Sequence, residues 1–175
     1  MKAFLIAGET SGDIHGSYVI RELKKCQPEM HIQAMGGLKM QQAGAELLFD
    51  MNAFQIMGFV EVLRNLRKIK RLENDLLNAI NRFDPDFVIL IDYPGLNLRL
   101  ARKLHQSYTI YYYIAPKAWA WNKKRVHSLA KYTNQVFSIL PFEIPFFNKY
   151  EVSCLYVGNP SVEQVEQYLS NSAKS

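Results

Sequence analysis

The sequence predicts an α/β fold, a Rossmann-like doubly wound parallel sheet with helices on both faces. Apolar runs typical of buried strands alternate along the chain with segments of helical period. Each predicted strand also ends in a distinctive turn, and in open sheets of this kind such turns converge on one ligand-binding crevice. The length of 175 residues suits one domain, and a hydrophobic content of 49% is enough for a sizeable core.

The order of the elements follows from the positions of these runs. The predicted strands are residues 3–7, 31–35, 87–91, 109–114, 135–140 and a short last one near 154–157. The predicted helices are residues 14–25, 38–43, 63–82, 98–106, 123–131 and 142–149. The chain becomes polar after Pro160, so we expect a domain over residues 1–160 and, over residues 161–175, a helix or linker that leads out of it.

The first turn, Gly8 to Asp13, lacks both the lysine of a P-loop and the Gly-x-Gly-x-x-Gly of a dinucleotide site. Glu9 and Asp13 would also repel an anion at the N-terminus of the next helix. We therefore expect this loop to contact hydroxyls, amides or a cation rather than a pyrophosphate. In the alternative interpretation the glycines only permit the turn, and Ser11 or Asp13 caps the helix.

Asp92 directly follows the predicted strand 87–91, at the carboxyl edge of the sheet. Partial burial there would raise its pKa toward the range of a general base that deprotonates a hydroxyl nucleophile. Alternatively, Asp92 caps the next helix or fixes the turn before Pro94. Asn97 is open to the same two interpretations, helix capping or recognition of a substrate hydroxyl.

Both tryptophans of the chain, Trp119 and Trp121, follow the strand 109–114 and stand beside basic residues that include Arg125. Aromatic faces next to cations are suited to sugars, bases or phosphate groups. The alternative is that the two indole rings only pack this loop against the domain.

An apolar cluster precedes a basic stripe in the middle of the chain. The cluster includes Phe54, Met57, Phe59 and Val60, and the stripe includes Arg64, Arg67, Lys68 and Arg71. This combination is typical of a surface that lies on anionic lipid. Core packing beside a solvated helix face explains it almost as well.

The composition limits partners and location. There are 21 Lys and Arg against 16 Asp and Glu, a net charge of +5, which favours an anionic partner. The apolar run near the N-terminus is too short for a signal peptide, and none is long enough to span a membrane, so we expect a cytoplasmic location. Cys26 and Cys154 suit free thiols, and four scattered histidines predict no metal site.

Six ordered motifs resemble the N-terminal part of the lipid-A-disaccharide synthase family of inverting glycosyltransferases. They are Gly8–Asp13, Met57–Leu63, Ile91-Asp92-x-Pro94, Trp119–Trp121 with Arg125-Val126, Leu140–Glu143 and Val157–Pro160. The resemblance implies the first Rossmann-like domain of a two-domain GT-B enzyme. The nucleotide sugar would be held mostly by a C-terminal domain that this chain does not contain.

The family transfers 2,3-diacylglucosamine from its UDP donor to the 6-hydroxyl of 2,3-diacylglucosamine 1-phosphate. The resemblance therefore implies these two substrates as partners, no metal or other cofactor, no nucleic acid, and peripheral association with the anionic inner membrane. It leaves a homodimer of the full-length protein open. The present chain alone is expected to lack turnover.

Carried over to this sequence, the resemblance makes Asp92 the base that activates the acceptor hydroxyl. The substrate-binding residues it implies are Glu9, Ser11, Asp13, Asn97, Trp119, Trp121 and Arg125. The residues it implies for acyl chains or the membrane are Phe54, Met57, Phe59, Val60, Arg64, Arg67, Lys68 and Arg71. The family commonly reads Asp-x-Pro-Asp-Phe-Asn and Gly-His-Pro, whereas this chain has Gly95, Leu96 and Asn159 at the differing positions.

Two other functional classes remain open from the sequence. One is a stand-alone nucleotide-binding Rossmann-like domain, such as a sugar-nucleotide epimerase, against which the missing glycine fingerprint argues. The other is a non-enzymatic module that binds membrane surfaces through the basic stripe.

Overall fold

The computed structural model of the chain describes residues 1–54, 66–117, 124–160 and 162. Its strands are β1 (Lys2–Ala7), β2 (His31–Gly36), β3 (Glu46–Asp50), β4 (Phe87–Ile91), β5 (Thr109–Tyr113), β6 (Gln135–Ser138) and β7 (Cys154–Tyr156). In the described part of the chain they form one parallel sheet in the order β3-β2-β1-β4-β5-β6-β7. The predicted fold class is confirmed.

Helices connect the strands. They are α1 (Thr10–Cys26), α2 (Leu38–Gln42), α3 (Leu66–Phe83), α4 (Pro94–Leu104), α5 (Lys124–Tyr132) and α6 (Glu143–Asn148), with a short 3-10 helix at Met51–Phe54. α4 begins at Pro94, whose ring fixes φ at a helical value and whose missing N–H is not needed in a first turn. The last turn of α1 carries Lys24 and Lys25, whose positive charges interact favourably with the negative end of the helix dipole.

The two faces of the sheet carry separate hydrophobic cores. Because side chains alternate along a strand, Phe4 and Ile6 of β1 pack on one face, together with Leu100 of α4. Leu5 of β1 packs on the other face, together with Ile20 of α1. The helices after β1 and after β4 therefore lie on opposite faces of the sheet.

This arrangement puts the reversal of strand order between β1 and β4. The two strands pair in parallel, and Ala7 stands opposite Ile91 at their carboxyl ends. The crevice outside the carboxyl ends of such a pair is where open α/β sheets bind ligands. Whatever follows Ala7 and Ile91 in the sequence therefore lies at the entrance to that crevice.

Several predicted boundaries were wrong. β3 was not predicted, because its apolar run is only the three residues Leu47–Phe49; at this sheet edge they are half-buried or exposed. α1 begins at Thr10 rather than at residue 14, so that only Gly8 and Glu9 separate it from β1. α4 begins at Pro94 rather than at residue 98, which places Asn97 inside the helix.

Asp13 has a structural task that the sequence did not reveal. Its buried carboxylate accepts hydrogen bonds from the backbone N–H groups of Gly37, Lys39 and Met40, at 2.9, 3.0 and 2.9 Å. These donors lie at the N-terminus of α2, so Asp13 caps α2, and the interpretation that it caps its own helix is wrong. A Cβ on Gly37 would lie 2.6 Å from Asp13 Oδ2, so the close approach requires a glycine.

We predict that Asp13→Ala destabilises the domain by about 3 kcal/mol, because it leaves buried N–H groups of α2 without an acceptor. Urea unfolding followed by circular dichroism measures the change. Glu29→Ala, which removes an exposed carboxylate, is the control and is expected to unfold with the wild type. Equal midpoints for Asp13→Ala and wild type would contradict the capping role.

Candidate functional site

Two carboxylates meet at the carboxyl edge of β1 and β4. Glu9 follows β1 and takes the N-cap position of α1 in an extended conformation, without a side-chain cap hydrogen bond. Asp92 follows β4 directly and is half-buried. Burial raises the pKa of Glu9, and the nearby Asp92 charge raises it further. The structure thus brings together two residues that the sequence had placed on separate turns.

The backbone of Asp92 is held in an uncommon conformation. Asp92 and Tyr93 both have φ of 45°, a left-handed value that non-glycine residues adopt at a cost. The Asp92 carbonyl accepts hydrogen bonds from the Tyr112 hydroxyl at 2.6 Å and from Asn97 Nδ2 at 2.8 Å. The Asp92 N–H donates to the Tyr113 carbonyl at 2.9 Å. These three bonds fix where the Asp92 side chain leaves the sheet edge.

Asn97 supports this turn from inside the domain. It is fully buried on α4, and its Nδ2 also donates to the Ile91 carbonyl at 3.2 Å. The N-cap position of α4 is taken by Tyr93, so the capping interpretations of Asn97 and Asp92 are both wrong. Asn97 Oδ1 is buried and has no hydrogen-bond partner among the described residues.

Cations approach Asp92 from the β5 side of the edge. Burial raises the pKa of Asp92, while the Tyr93 N–H, Lys117 and Arg125 act in the opposite direction. Lys117 is exposed in the turn after β5, and Arg125 is half-buried near the start of α5. The edge is therefore polarised, with the Glu9 carboxylate on the β1 side and two positive charges on the β5 side.

Tyr93 packs directly on the glycine loop. A Cβ on Gly8 would lie 2.4 Å from Tyr93 Cδ1, so any side chain at position 8 would displace the ring. Burial and the charge of Glu9 raise the pKa of Tyr93, whereas Arg99 lowers it. Gly8 is thus needed for packing between the two turns that carry Glu9 and Asp92.

The remaining predicted site residues fall into three groups. Ser11 is exposed in the first turn of α1, next to Glu9. Arg67, Lys68 and Arg71 lie on the exposed face of α3, whose opposite side packs into the core through Leu72 and Leu76. The 3-10 helix ends at Phe54, while Met57, Phe59, Val60, Arg64, Trp119 and Trp121 lie outside the described residues.

Three residues near the edge escaped the sequence reasoning. Tyr112 was counted only as part of an apolar strand, and Lys117 only as one of several bases near the tryptophans. His15 on α1 has a buried Nδ1 without a hydrogen-bond partner in the described chain, and its ring meets Tyr113 edge-on at 6.3 Å. Burial lowers the pKa of His15. The one sequence signal that could have marked these residues as part of the site is their position near the carboxyl end of a predicted strand.

The described residues contain neither a metal-binding cluster nor a membrane-spanning helix. No group of three or more His, Cys, Asp or Glu side chains in ranges 1–54, 66–117, 124–160 and position 162 is arranged to hold a metal ion. None of the helices described is long and apolar enough to cross a bilayer.

Fold and site together define a Rossmann-like domain of the kind found in GT-B glycosyltransferases and nucleotide-sugar epimerases. UDP-GlcNAc 2-epimerase of Neisseria meningitidis, solved with UDP-GlcNAc, superposes with a TM-score of 0.65 at 14% identity, over 91% of this chain and 46% of that one. MurG of Acinetobacter baumannii superposes with a TM-score of 0.58 at 10% identity, over 91% and 45%.

Sequence comparison is more specific. The family model for lipid-A-disaccharide synthetase matches residues 3–175. The lipid-A-disaccharide synthases of Nitrosococcus oceani and Myxococcus xanthus are 37% and 38% identical to the chain, over 93% and 94% of its length. The chain therefore belongs to the lipid-A-disaccharide synthetase family, as its motifs predicted. It spans 42% and 43% of those two relatives.

We predict that Asp92→Asn lowers the pKa of Glu9 toward its ordinary value, because it removes the neighbouring negative charge. Carboxyl ¹³C NMR titration of Glu9 measures the change. Asp50→Asn, at the far end of β3, is the control and is expected to leave the Glu9 titration unchanged.

The same pKa shifts give a pH dependence of stability with a definite sign. A carboxyl group whose pKa is raised by folding retains its proton longer in the native state, so stability falls as pH rises from the ordinary value through the raised one. The stability of Asp92→Asn relative to wild type should therefore increase between pH 3 and pH 7. A constant difference in urea midpoint would contradict the raised pKa of Asp92.

Proposed function

We propose that this chain is the acceptor-binding part of a lipid-A-disaccharide synthase and that Asp92 is its general base. The observation that carries the proposal is the half-buried Asp92 carboxylate, fixed by its backbone at the switch point of a domain that belongs to this family. A general base needs a defined position and an ionisable group within reach of the proton it removes. The fixed backbone of Asp92 gives its carboxylate a defined position, which supports the first requirement.

In the proposed reaction, the 6-hydroxyl of 2,3-diacylglucosamine 1-phosphate lies against Asp92. The carboxylate accepts the hydroxyl proton as the oxygen attacks the anomeric carbon of UDP-2,3-diacylglucosamine. The bond from that carbon to the UDP phosphate breaks, and UDP leaves with the bonding electron pair. Attack opposite the leaving group inverts the anomeric centre. Groups that stabilise the departing UDP would lie outside this chain, so we expect the chain alone to bind acceptor without turnover.

Charge at the edge supports an orientation for the acceptor. Lys117 and Arg125 lie on the β5 side of Asp92, where a phosphate would be attracted. Glu9 and the exposed Ser11 lie on the β1 side, where sugar hydroxyls can donate to or accept from them. We assign the 1-phosphate to the Lys117 and Arg125 side and the sugar ring to the Glu9 side.

We predict that the chain binds the acceptor sugar phosphate and shows little response to UDP in an NMR titration that follows the amides of Glu9, Ser11 and Asp92. Arg125→Ala should weaken acceptor binding about tenfold by removing a phosphate contact. Arg102→Ala, an exposed arginine in the last turn of α4, is the matched control and should bind like wild type. With an acceptor that lacks the 1-phosphate, the two variants should have equal affinities.

If Asp92 is the general base, its substitution should lower the rate of the reaction without weakening acceptor binding. Asp92→Asn preserves the shape of the side chain, so acceptor binding should persist, while in an enzyme that also holds the donor kcat should fall by about 100-fold or more. Equal kcat values would exclude Asp92 as the base. Tight UDP binding without any acceptor response would instead favour the nucleotide-binding alternative.

The basic face of α3 supports a membrane role for the same domain. Arg67 and Lys68 lie in the first turn of α3, which has no acidic residue, although the positive end of the helix dipole disfavours cations there. Arg71 is 86% exposed and approaches Asp75 no closer than 4.0 Å. Helix stability does not explain the positions of Arg67 and Lys68, whereas attraction to anionic headgroups does. We propose that this face touches the inner membrane, where the diacylated substrates reside.

We predict that the double variant Arg67→Gln/Lys68→Gln binds anionic phospholipid vesicles about 30-fold more weakly, since each of the two cations near such a surface contributes about 1 kcal/mol. Vesicle sedimentation at low salt measures the loss. Lys24→Gln/Lys25→Gln, at the end of α1, removes the same charge elsewhere and is the control. Equal loss in both variants would mean that net charge rather than the α3 face determines binding.

A further inference from the structure

His15 is a polar side chain near the carboxyl edge of the sheet that the proposed reaction does not use. It lies on α1, six residues after Glu9 and therefore about 9 Å further along the helix axis. Its ring meets the ring of Tyr113 edge-on, with the centroids 6.3 Å apart. Tyr113 stands opposite Ile91 in the sheet, and its carbonyl accepts the hydrogen bond from the Asp92 N–H. His15 therefore borders the place where Glu9 and Asp92 meet.

The two ring nitrogens of His15 have different surroundings. Nδ1, the nitrogen closer to the backbone, is buried, and the described residues offer it no hydrogen-bond partner. The side chain as a whole is only half-buried. The part of the ring that reaches solvent is therefore its far end, which carries Nε2. A ligand at this edge would meet His15 at that end.

The protonation of the ring follows from the same surroundings. Burial lowers the pKa of His15 below its ordinary value, so the ring is neutral at pH 7 and carries one proton. On Nδ1 this proton would be a buried donor without an acceptor, which costs more than a buried lone pair at the same place. We therefore expect the proton on Nε2, which makes the exposed end of His15 a neutral hydrogen-bond donor.

The surface beside His15 is apolar. Tyr18 and Val19 follow on the next turn of α1 and line the same cavity as Tyr113, and Val19 packs against the hydrophobic core that contains Tyr113. A single polar group at the border of apolar side chains is the usual way in which a site fixes the orientation of a largely apolar ligand. An acyl group has the matching chemistry, because a neutral carbonyl oxygen stands at the head of its hydrocarbon chain.

We propose that His15 binds the acceptor through a hydrogen bond from its Nε2–H to the carbonyl oxygen of an acyl linkage. The inference rests on the proposed function, which supplies the diacylated sugar phosphate. The distance of about 9 Å along α1 between Glu9 and His15 leaves room for a sugar ring whose acyl linkage points toward His15. In this arrangement His15 does not touch the reacting 6-hydroxyl, so it is a binding residue and takes no part in the proton transfer to Asp92.

The affinity of His15 variants for the acceptor tests this contact. In an NMR titration of the 175-residue chain with a short-chain diacyl acceptor, His15→Leu should bind about fivefold more weakly, the value of one net hydrogen bond. His15→Gln keeps an N–H donor near the position of Nε2 and should bind close to wild type. His31→Leu, which replaces an exposed histidine at the start of β2, is the matched control and should bind like wild type.

A second ligand identifies the group that His15 contacts. Glucosamine 1-phosphate has the same sugar and phosphate but no acyl linkage, so wild type and His15→Leu should bind it with equal affinity. An equal loss with both ligands would mean that His15 contacts the sugar or the phosphate, and the assignment to an acyl carbonyl would be wrong.

The state of the ring can be measured without any variant. In ¹⁵N NMR spectra of the wild-type chain at pH 7 we expect a neutral His15 with its proton on Nε2, and the Nε2 resonance should shift when the diacyl acceptor is added. A positively charged ring, or a proton on Nδ1, would contradict the assigned donor.

These outcomes distinguish the contact from the proposed function. If the wild-type chain binds the diacyl acceptor and His15→Leu binds it equally well, the ring only packs against Tyr113, and the inference is wrong while the proposed function stands. A wild-type chain that does not bind the diacyl acceptor would overturn the proposed function and this inference together.

Discussion

The pairing of β1 with β4 is the constraint on which the rest of the site depends. Because Ala7 and Ile91 lie opposite one another, the residues that follow them emerge side by side. The helices that follow then depart to opposite faces of the sheet, which is the arrangement that forms a ligand-binding crevice in open α/β sheets. Glu9 and Asp92 owe their proximity to this register. If β1 and β4 were not neighbours in the sheet, Glu9 and Asp92 would lie at separate places along its edge.

The Asp92 turn shows how the core fixes a polar group at the surface. Asn97 and Tyr112 are both fully buried, and both donate to the Asp92 carbonyl. The left-handed conformation of two successive residues is thus maintained by hydrogen bonds from side chains of the core. The carboxylate of Asp92 also accepts a hydrogen bond from the Tyr93 N–H, so the same turn that fixes the backbone holds the side chain.

The sequence was sufficient for the fold class because it depends on apolar runs, and six of the seven strands described are such runs. β3 was missed because this edge strand has only three consecutive apolar residues, Leu47–Phe49. The site was predictable where a carboxylate follows a strand, as at Glu9 and Asp92. The role of a residue was not predictable where it depends on a long-range contact, as for Asp13, whose hydrogen-bond partners are 24 to 27 positions away.

The fate of Asp13 changes the electrostatics expected of the glycine loop. Two carboxylates were predicted to repel anions there, but the N–H groups of α2 satisfy the one on Asp13, which leaves Glu9 as the loop carboxylate that faces the edge. Lys117 and Arg125 then outweigh it on the β5 side. A ligand with hydroxyls at one end and a phosphate at the other fits this gradient in one direction only. The reverse orientation would bring its phosphate against Glu9, where like charges repel.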